Sequence, residues 1–384
     1  MSVWDAVTGQ DQAIGALKAA CAAPEAMTHA WLITGPPGSG RSVAARVFAA
    51  AAQCAEGGCG QCHECRTVMA GTHPDVKILT TESVLISVAQ VRELVGIAAR
   101  APSTSRWRIV IVEDADRMTE RTSNVLLKAI EEPPSRTIWL LAAPSPRDVI
   151  VTIRSRCRPV ALRIPSVEAV TELLVRTENV APDVAREAAM AAQCHIGIAR
   201  RLATDPAARE QRERVMALAE RASSVGGAVI AAGELVDLAK GEAERVAAER
   251  EAQISAQLHR AHGLAEGERA PRAVRAQIDQ ALKGSKDDAR RRTTRFQRDV
   301  LDRALVDLMS FYRDVLTVQE RAGIDLVNLS HSAQIARVAE TSTVEVTLRR
   351  IDAITQARER LAGNVAPALA IEAMAVGVAL AGVR

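Results

Sequence analysis

At 384 residues the chain is long enough for two or three domains, and with 48% apolar residues it can build substantial cores. Aromatics make up only 2%, so alanine, valine and leucine must do the packing, which favours helices. A net charge of +3 excludes a global polyanion-binding surface, and no run reaches the ~20 apolar residues of a membrane span.

The most apolar tail, Ala373 to Val383, is too short for a span and has Glu372 just before it. No early apolar run resembles a signal peptide, so the expectation is a soluble cytoplasmic protein. Residues 3–10 form a lead-in ending at the turn-prone Gly9, and Ile14, Leu17 and Ala20 then recur at amphipathic-helix spacing. His29 precedes a short apolar strand ending in Leu32, Ile33 and Thr34.

Directly after it come Gly35, Pro36, Pro37, Gly38, Ser39, Gly40, Arg41 and Ser42, and a helical pattern runs on through Val43, Val47 and Phe48. Strand, glycine loop and helix N-terminus bring free N–H groups and the positive end of the helix dipole together, which is a cradle for phosphate. The spacing is that of a Walker A loop, with Arg41 at the lysine position and Ser42 where a hydroxyl would hold magnesium. Arginine keeps the charge but is planar and longer, so it is no neutral swap where phosphates pack closely.

Cys54, Cys59, Cys62 and Cys65 follow, with Gly57, Gly58 and Gly60 between them. Such spacing turns thiolates toward one tetrahedral point, and four of them leave no open position; the reading is a structural zinc site, with His63 as a weaker substitute ligand. A strand is expected at residues 75–79 and a helix from Val88 to Ala99. The apolar run Trp107 to Val112 ends in Glu113-Asp114-Ala115-Asp116. A buried strand delivering acids at its end is a Walker B arrangement, here with the usual aspartate–glutamate order reversed. A helix from Asn124 to Glu132 closes at Pro133, and a strand from Ile138 to Ala142 runs into Pro144. Arg154, Arg156 and Arg158 surround Ser155 and Cys157, which on composition alone reads as a basic loop. Ser166 opens two or three helical stretches that end at Asp205-Pro206.

Beyond that break the pattern is almost wholly helical. Residues 240–295 are heavily charged and interrupted by Gly263, Gly267, Pro271 and Gly284, as in solvated helix and linker. Arg290, Arg291 and Arg292 read as a surface patch. Residues 296–320 and 343–383 return to amphipathic or apolar helix suited to a bundle or an oligomer contact.

The order Gly35–Ser42, four cysteines, Val112-Glu113-Asp114-Ala115-Asp116-Arg117-Met118, Leu126-Leu127-Lys128-Ala129-Ile130-Glu131-Glu132-Pro133 and Ser155-Arg156-Cys157 resembles the bacterial clamp-loader branch of the AAA+ ATPases. The likeness is dense over about residues 1–205 and thinner beyond, where Asn364 to Leu380 resembles the last helix of that family's collar. It implies an α/β AAA+ P-loop domain (1–165) with a zinc module inserted at 54–65, a small helical lid (166–206) and an all-α collar (207–384) containing the charged insert. It also implies that Arg156 is an arginine finger reaching a neighbouring subunit's nucleotide, that Arg200 is a lid sensor, and that Val7 to Gln10 lie against adenine. Implied partners are the other loader subunits (gamma/tau and delta) and, through the complex, the sliding clamp and primed DNA, with no membrane. The chain departs from the family at Arg41, at the swapped Glu113 and Asp114, and at Ala143-Pro144, where a polar sensor is expected. With zinc structural and ATP with Mg2+ left open, the expectation is a subunit of the DNA polymerase III holoenzyme without ATPase or polymerase activity of its own. The alternative is a hydrolysing motor subunit of the same complex.

Overall fold

The computed structural model describes residues 2–23, 27–80, 85–221, 224–261, 286–363 and 365–382. The chain divides into two compact units, Met1–Asp205 and Pro206–Arg384.

The first unit is built on five parallel strands, β1 (Ala30–Thr34), β2 (Val76–Leu79), β3 (Arg108–Val112), β4 (Thr137–Ala143) and β5 (Arg158–Ala161), in the order β2-β3-β4-β1-β5. Every residue of β1, β3 and β4 is buried, as unbroken apolar runs require when helices cover both faces of a parallel sheet. On one face Trp31, Ile33, Ile109 and Leu140 pack against α1 (Asp11–Ala22), α2 (Arg41–Gln53) and α3 (His63–Met69), with Trp31 edge-on to Phe48 at 5.0 Å. On the other, Leu32, Val110, Val112, Trp139 and Leu141 pack against α4 (Val88–Ala98), α5 (Glu120–Glu131) and α6 (Val151–Arg154). Pro159 is accommodated because β5 is an edge strand.

Helix α5 begins a turn before the apolar periodicity that starts at Asn124. Its first turn is polar, and the Thr119 hydroxyl sets the start by accepting from the Thr122 N–H. Three further helices complete the unit: α7 (Val167–Glu178), α8 (Pro182–Ala191) and α9 (Ile196–Thr204). The Ser166 hydroxyl caps α7 by accepting from the Ala169 N–H, and Asn179 ends that helix in a left-handed conformation.

At the other end of the sheet the Asp75 carboxylate is fully buried. It accepts from the N–H and hydroxyl of Ser103 and of Thr104, from the Ser105 N–H, and from Arg108 at 3.0 Å. Burial opposes its charge, but these donors outweigh it and hold the carboxyl well below the usual range.

The second unit is helical: α10 (Pro206–Arg221), α11 (Val225–Ala261), α12 (Lys286–Gln319), α13 (Ser332–Thr341), α14 (Val344–Ala362) and α15 (Pro367–Leu380). Met216, Leu235, Leu305, Phe311, Tyr312, Ile354 and Ile371 share one core. Within it the buried Asp314 carboxylate accepts from Val327 and Asn328, and Asp307 pairs with Arg212 and Arg303. The charged stretch expected at 240–295 is helical through Ala261 and from Lys286 onward. Gly263, Gly267, Pro271 and Gly284 lie outside the described residues, as does Asn364 at the start of the final helical stretch. Among the described residues no helix is long and apolar enough to cross a membrane.

Trp4, Trp31, Trp107 and Trp139 are the chain's only tryptophans and all lie in the first unit, so their fluorescence reports that unit alone. Asp75→Ala removes the buried carboxylate that Arg108 and residues 103–105 bond and is expected to cost the first unit about 3–5 kcal/mol at pH 7, read as a lower urea midpoint in tryptophan fluorescence. Because the folded carboxyl is depressed, its stabilisation is complete above roughly pH 4 and is lost as pH falls through the folded value. Wild type and variant should therefore converge in acid; equal midpoints at pH 7 would show that the node carries nothing.

Candidate nucleotide loop and cysteine cluster

Residues 35–42 link the end of β1 to α2, and Gly40 caps that helix in a left-handed conformation, with Gly38 also at positive φ. A Cβ on Gly35 would stand 2.6 Å from the Ser39 hydroxyl and 2.9 Å from Leu162, so this turn closes only on glycine. The loop is held from beneath by Gln10. Its side-chain amide donates to the Arg163 carbonyl at 2.6 Å and the Ser39 carbonyl at 3.4 Å, and its oxygen accepts from the Arg163 N–H at 3.0 Å. Val7 is buried in the same core. The lead-in expected against adenine thus packs here against the loop and the chain just beyond β5.

The charges near the loop are largely answered from within the chain. Arg41 turns back and donates to the Gly35 carbonyl of its own loop. Burial pushes the Arg41 guanidinium down, while Asp116, Asp114 and Asp148 support its charge. Ser42 is half-buried in the first turn of α2. One turn further, Arg46 donates from Nε at 3.1 Å and Nη2 at 2.8 Å to Glu113 Oε1, while the Thr80 hydroxyl donates to Oε2 at 2.9 Å. Both oxygens of Glu113, which is only 8% exposed, are therefore engaged. Asp114 is half-buried next to it, and Asp116 is pushed above the usual carboxylate range, first by burial and then by the charge of Asp114. The end of β4 offers Ala143 and Pro144; the first polar side chain is Ser145, whose hydroxyl caps the following turn.

From above, the start of α9 sits on the loop. The Ile196 N–H lies 3.5 Å from the Gly38 carbonyl, and a Cβ on Gly38 would stand 2.5–2.7 Å from His195. Arg200, on the same helix, donates to Glu178 at 2.7 Å. Arg156 lies apart from the loop's internal bonding, one turn past α6. Its Nη1 donates to the Thr152 carbonyl at 2.8 Å, and its Nη2 pairs with Glu131 of α5 at 2.7 Å. Arg156 is 40% exposed and Glu131 43%. Arg154 instead donates to the Pro146 carbonyl, and Arg158 lies over the Trp31 ring. The intervening Cys157 is buried, which pushes its thiol up to about 12.

The sulfurs of Cys54, Cys59, Cys62 and Cys65 all lie within 4.8 Å of one another, with Cys54 Sγ 3.7 Å from both Cys59 Sγ and Cys62 Sγ. Four thiolates about 2.3 Å from one ion stand about 3.8 Å apart, so the spacing suits tetrahedral coordination. The N–H groups of Cys59, Cys62 and Cys65 donate to the sulfurs of Cys54, Cys59 and Cys62 at 3.4–3.5 Å, while burial pushes the Cys62 and Cys65 thiols up. At Cys54, burial is outweighed by the Cys59, Gly58 and Glu56 N–H groups, and the thiol falls to about 6. The cluster could hold a metal ion such as zinc.

Reading the sequence alone misses Arg46, Thr80, His195 and Glu131. Arg46 carries a usable signal, since it lies four residues after Ser42 and so on the same helical face. Thr80 and His195 are brought in by tertiary placement and leave no local pattern, while Glu131 stands in the Leu126–Pro133 motif with nothing in the sequence to pair it with Arg156.

A family model described as DNA polymerase III, delta subunit, matches residues 9–166. The delta' subunit of Pseudomonas aeruginosa DNA polymerase III is 35% identical over 194 residues, covering 49% of this chain and 59% of that protein. The delta' subunit of Bacillus subtilis is 31% identical over 163 residues, 42% of this chain and 49% of that protein. A gamma/tau subunit of Mycobacterium bovis is 33% identical over 175 residues, 44% of this chain and 30% of that protein. The chain thus spans between 30% and 59% of the length of these relatives. The region that carries the glycine loop, the cysteine cluster and the Ser-Arg-Cys triplet is thus similar to the delta-prime clamp-loader subunits of DNA polymerase III.

Proposed function

We propose that the chain works in a sliding-clamp loader as a subunit that assists ATP hydrolysis without performing it. The carrying observation is that both oxygens of Glu113 accept bonds from this chain's own Arg46 and Thr80. An acid so engaged is poorly placed to hold magnesium or steer water. Arg41 bonded to its own loop and the apolar end of β4 weaken the site further.

Arg156 supports the complementary half of the reading. As ATP is cleaved, charge builds on the phosphate oxygens, and a guanidinium supplied by a neighbour in a water-poor interface stabilises it. Such fingers are worth on the order of 10³–10⁵ in rate, roughly 4–7 kcal/mol of barrier. The Arg156–Glu131 pair is well exposed, so its net worth is about 0–1 kcal/mol and the finger is released at little cost.

In this reading residues 1–165 form the AAA+ domain, 166–206 the lid and 207–384 the collar through which loader subunits assemble. Gamma/tau and delta subunits are the partners, and the clamp and primed DNA are met through the complex in the cytoplasm. The cysteine cluster holds one structural zinc, which when bound cross-links residues 54–65. The gamma/tau likeness favours a motor subunit as second reading. A motor would be expected to carry lysine where Arg41 stands and an aspartate–glutamate pair where Glu113 and Asp114 stand.

Three outcomes are expected. Protein purified without chelator should carry zinc at a ratio near one by elemental analysis; a ratio near zero with four freely titrating thiols contradicts the metal assignment. The isolated chain should show no ATP turnover above background, and Arg41→Lys should not create any, because Glu113 stays engaged and Ala143-Pro144 is unchanged. A robust rate abolished by Glu113→Ala would instead favour the motor reading. Arg156→Ala should leave the chain folded and assembled yet cut clamp-stimulated hydrolysis by the reconstituted loader at least a hundredfold, with Arg154→Ala as the mild control. Wild-type rates from the Arg156 variant would remove the trans-acting role.

A further inference from the structure

The N-terminal segment bridges two parts of the first unit. At one end it is bonded to the loop between the first two cysteines of the cluster. The Ser2 hydroxyl and the Val3 N–H both donate to the Gly58 carbonyl, at 2.7 and 3.0 Å, and the Trp4 indole N–H donates to the Gly57 carbonyl at 2.8 Å. The fit is close: a Cβ on Gly58 would stand 2.7 Å from Val3 Cγ2 and 2.9 Å from Trp4 Nε1. Trp4 is buried, and the Ser2 and Asp5 side chains cap the short turn reciprocally.

At its other end the same segment reaches the glycine loop and both ends of α7. The Asp5 carbonyl accepts from Arg176 of α7 at 2.7 Å, Gly9 at positive φ packs against Pro165 and Ala169, and Gln10 holds the Ser39 and Arg163 carbonyls. Residues 2–10 thus form a strap with one end on the cysteine knuckle and the other on the loop. Gly57 and Gly58 have no side chains, so their carbonyls stay in place only while the backbone around the cysteines is ordered, and four thiolates on one ion would order it.

We propose that metal in the cysteine cluster anchors this strap, and that the cluster thereby positions Gln10 against the glycine loop and α7 against the lead-in. The inference rests on the four-thiolate reading of the cluster and not on the clamp-loader role. Coupling of this kind is reciprocal: the factor by which zinc favours the seated strap is the factor by which the seated strap favours zinc.

The test uses the whole chain. Zinc affinity is measured by competition with a chromogenic chelator for wild type and Trp4→Phe, which keeps an aromatic ring and removes the donor to Gly57. Hydrogen exchange is measured with and without zinc. Trp4→Phe should bind zinc roughly fivefold more weakly, the worth of one hydrogen bond. Zinc withdrawal should expose amides 3–10 and 166–170 at least tenfold together with 54–65, while β3 and β4 keep their protection. Equal zinc affinity in Trp4→Phe overturns the coupling even if withdrawal melts the sheet, and so does a strap that stays protected without zinc. Protein that takes up no zinc at all defeats the metal assignment instead, so the two failures are distinct.

Discussion

The pairing of Arg46 with Glu113 fixes the acid at the end of β3 and shapes everything around the glycine loop. A parallel sheet delivers an acid at the end of β3 beside the N-terminus of α2, an arrangement that ordinarily leaves a carboxylate facing a phosphate loop. Here the same helix that starts at the loop carries a guanidinium one turn later and places it on that carboxylate. Thr80, just past β2, takes the other oxygen. With Glu113 almost buried, the pair is shielded from solvent on the acid's side, and separating it would leave a desolvated charge behind.

Other features of the loop follow the same logic of internal satisfaction. Arg41 is bonded to Gly35, the underside is bonded to Gln10, and the upper side is met by His195 at the start of α9. The scaffold of a phosphate cradle survives because glycines and a helix N-terminus are also what this turn needs in order to close. In the proposed function, the fold of a nucleotide-binding domain is kept while the contribution to chemistry comes from a surface arginine. Arg156 sits just past the short helix α6 that follows β4, and its side chain rests on the exposed Glu131.

Much of the fold was legible because it rests on local pattern. The unbroken apolar runs of β1, β3 and β4, the glycines of the loop and the spacing of Cys54, Cys59, Cys62 and Cys65 each state their structure within a dozen residues. The start of α5 was not, since its first turn is polar and only the Thr119 cap defines it. The state of the candidate site was hidden for a different reason. Arg46 and Glu113 are 67 positions apart, and the sequence shows an acid at a strand end without showing what neutralises it. The strap was equally hidden, because Ser2, Val3 and Trp4 bind backbone carbonyls of glycines, which carry no side-chain signature.

The most direct measurement is an equilibrium titration of the whole chain with a fluorescent, non-hydrolysable ATP analogue, with and without Mg2+. If Glu113 is already satisfied by Arg46 and Thr80, affinity is weak, Mg2+ does not raise it, and Glu113→Gln leaves it within about twofold. Tight binding that requires Mg2+ and is lost in Glu113→Gln would show that the acid serves a bound metal, and would contradict the internal pairing as the state that governs this site.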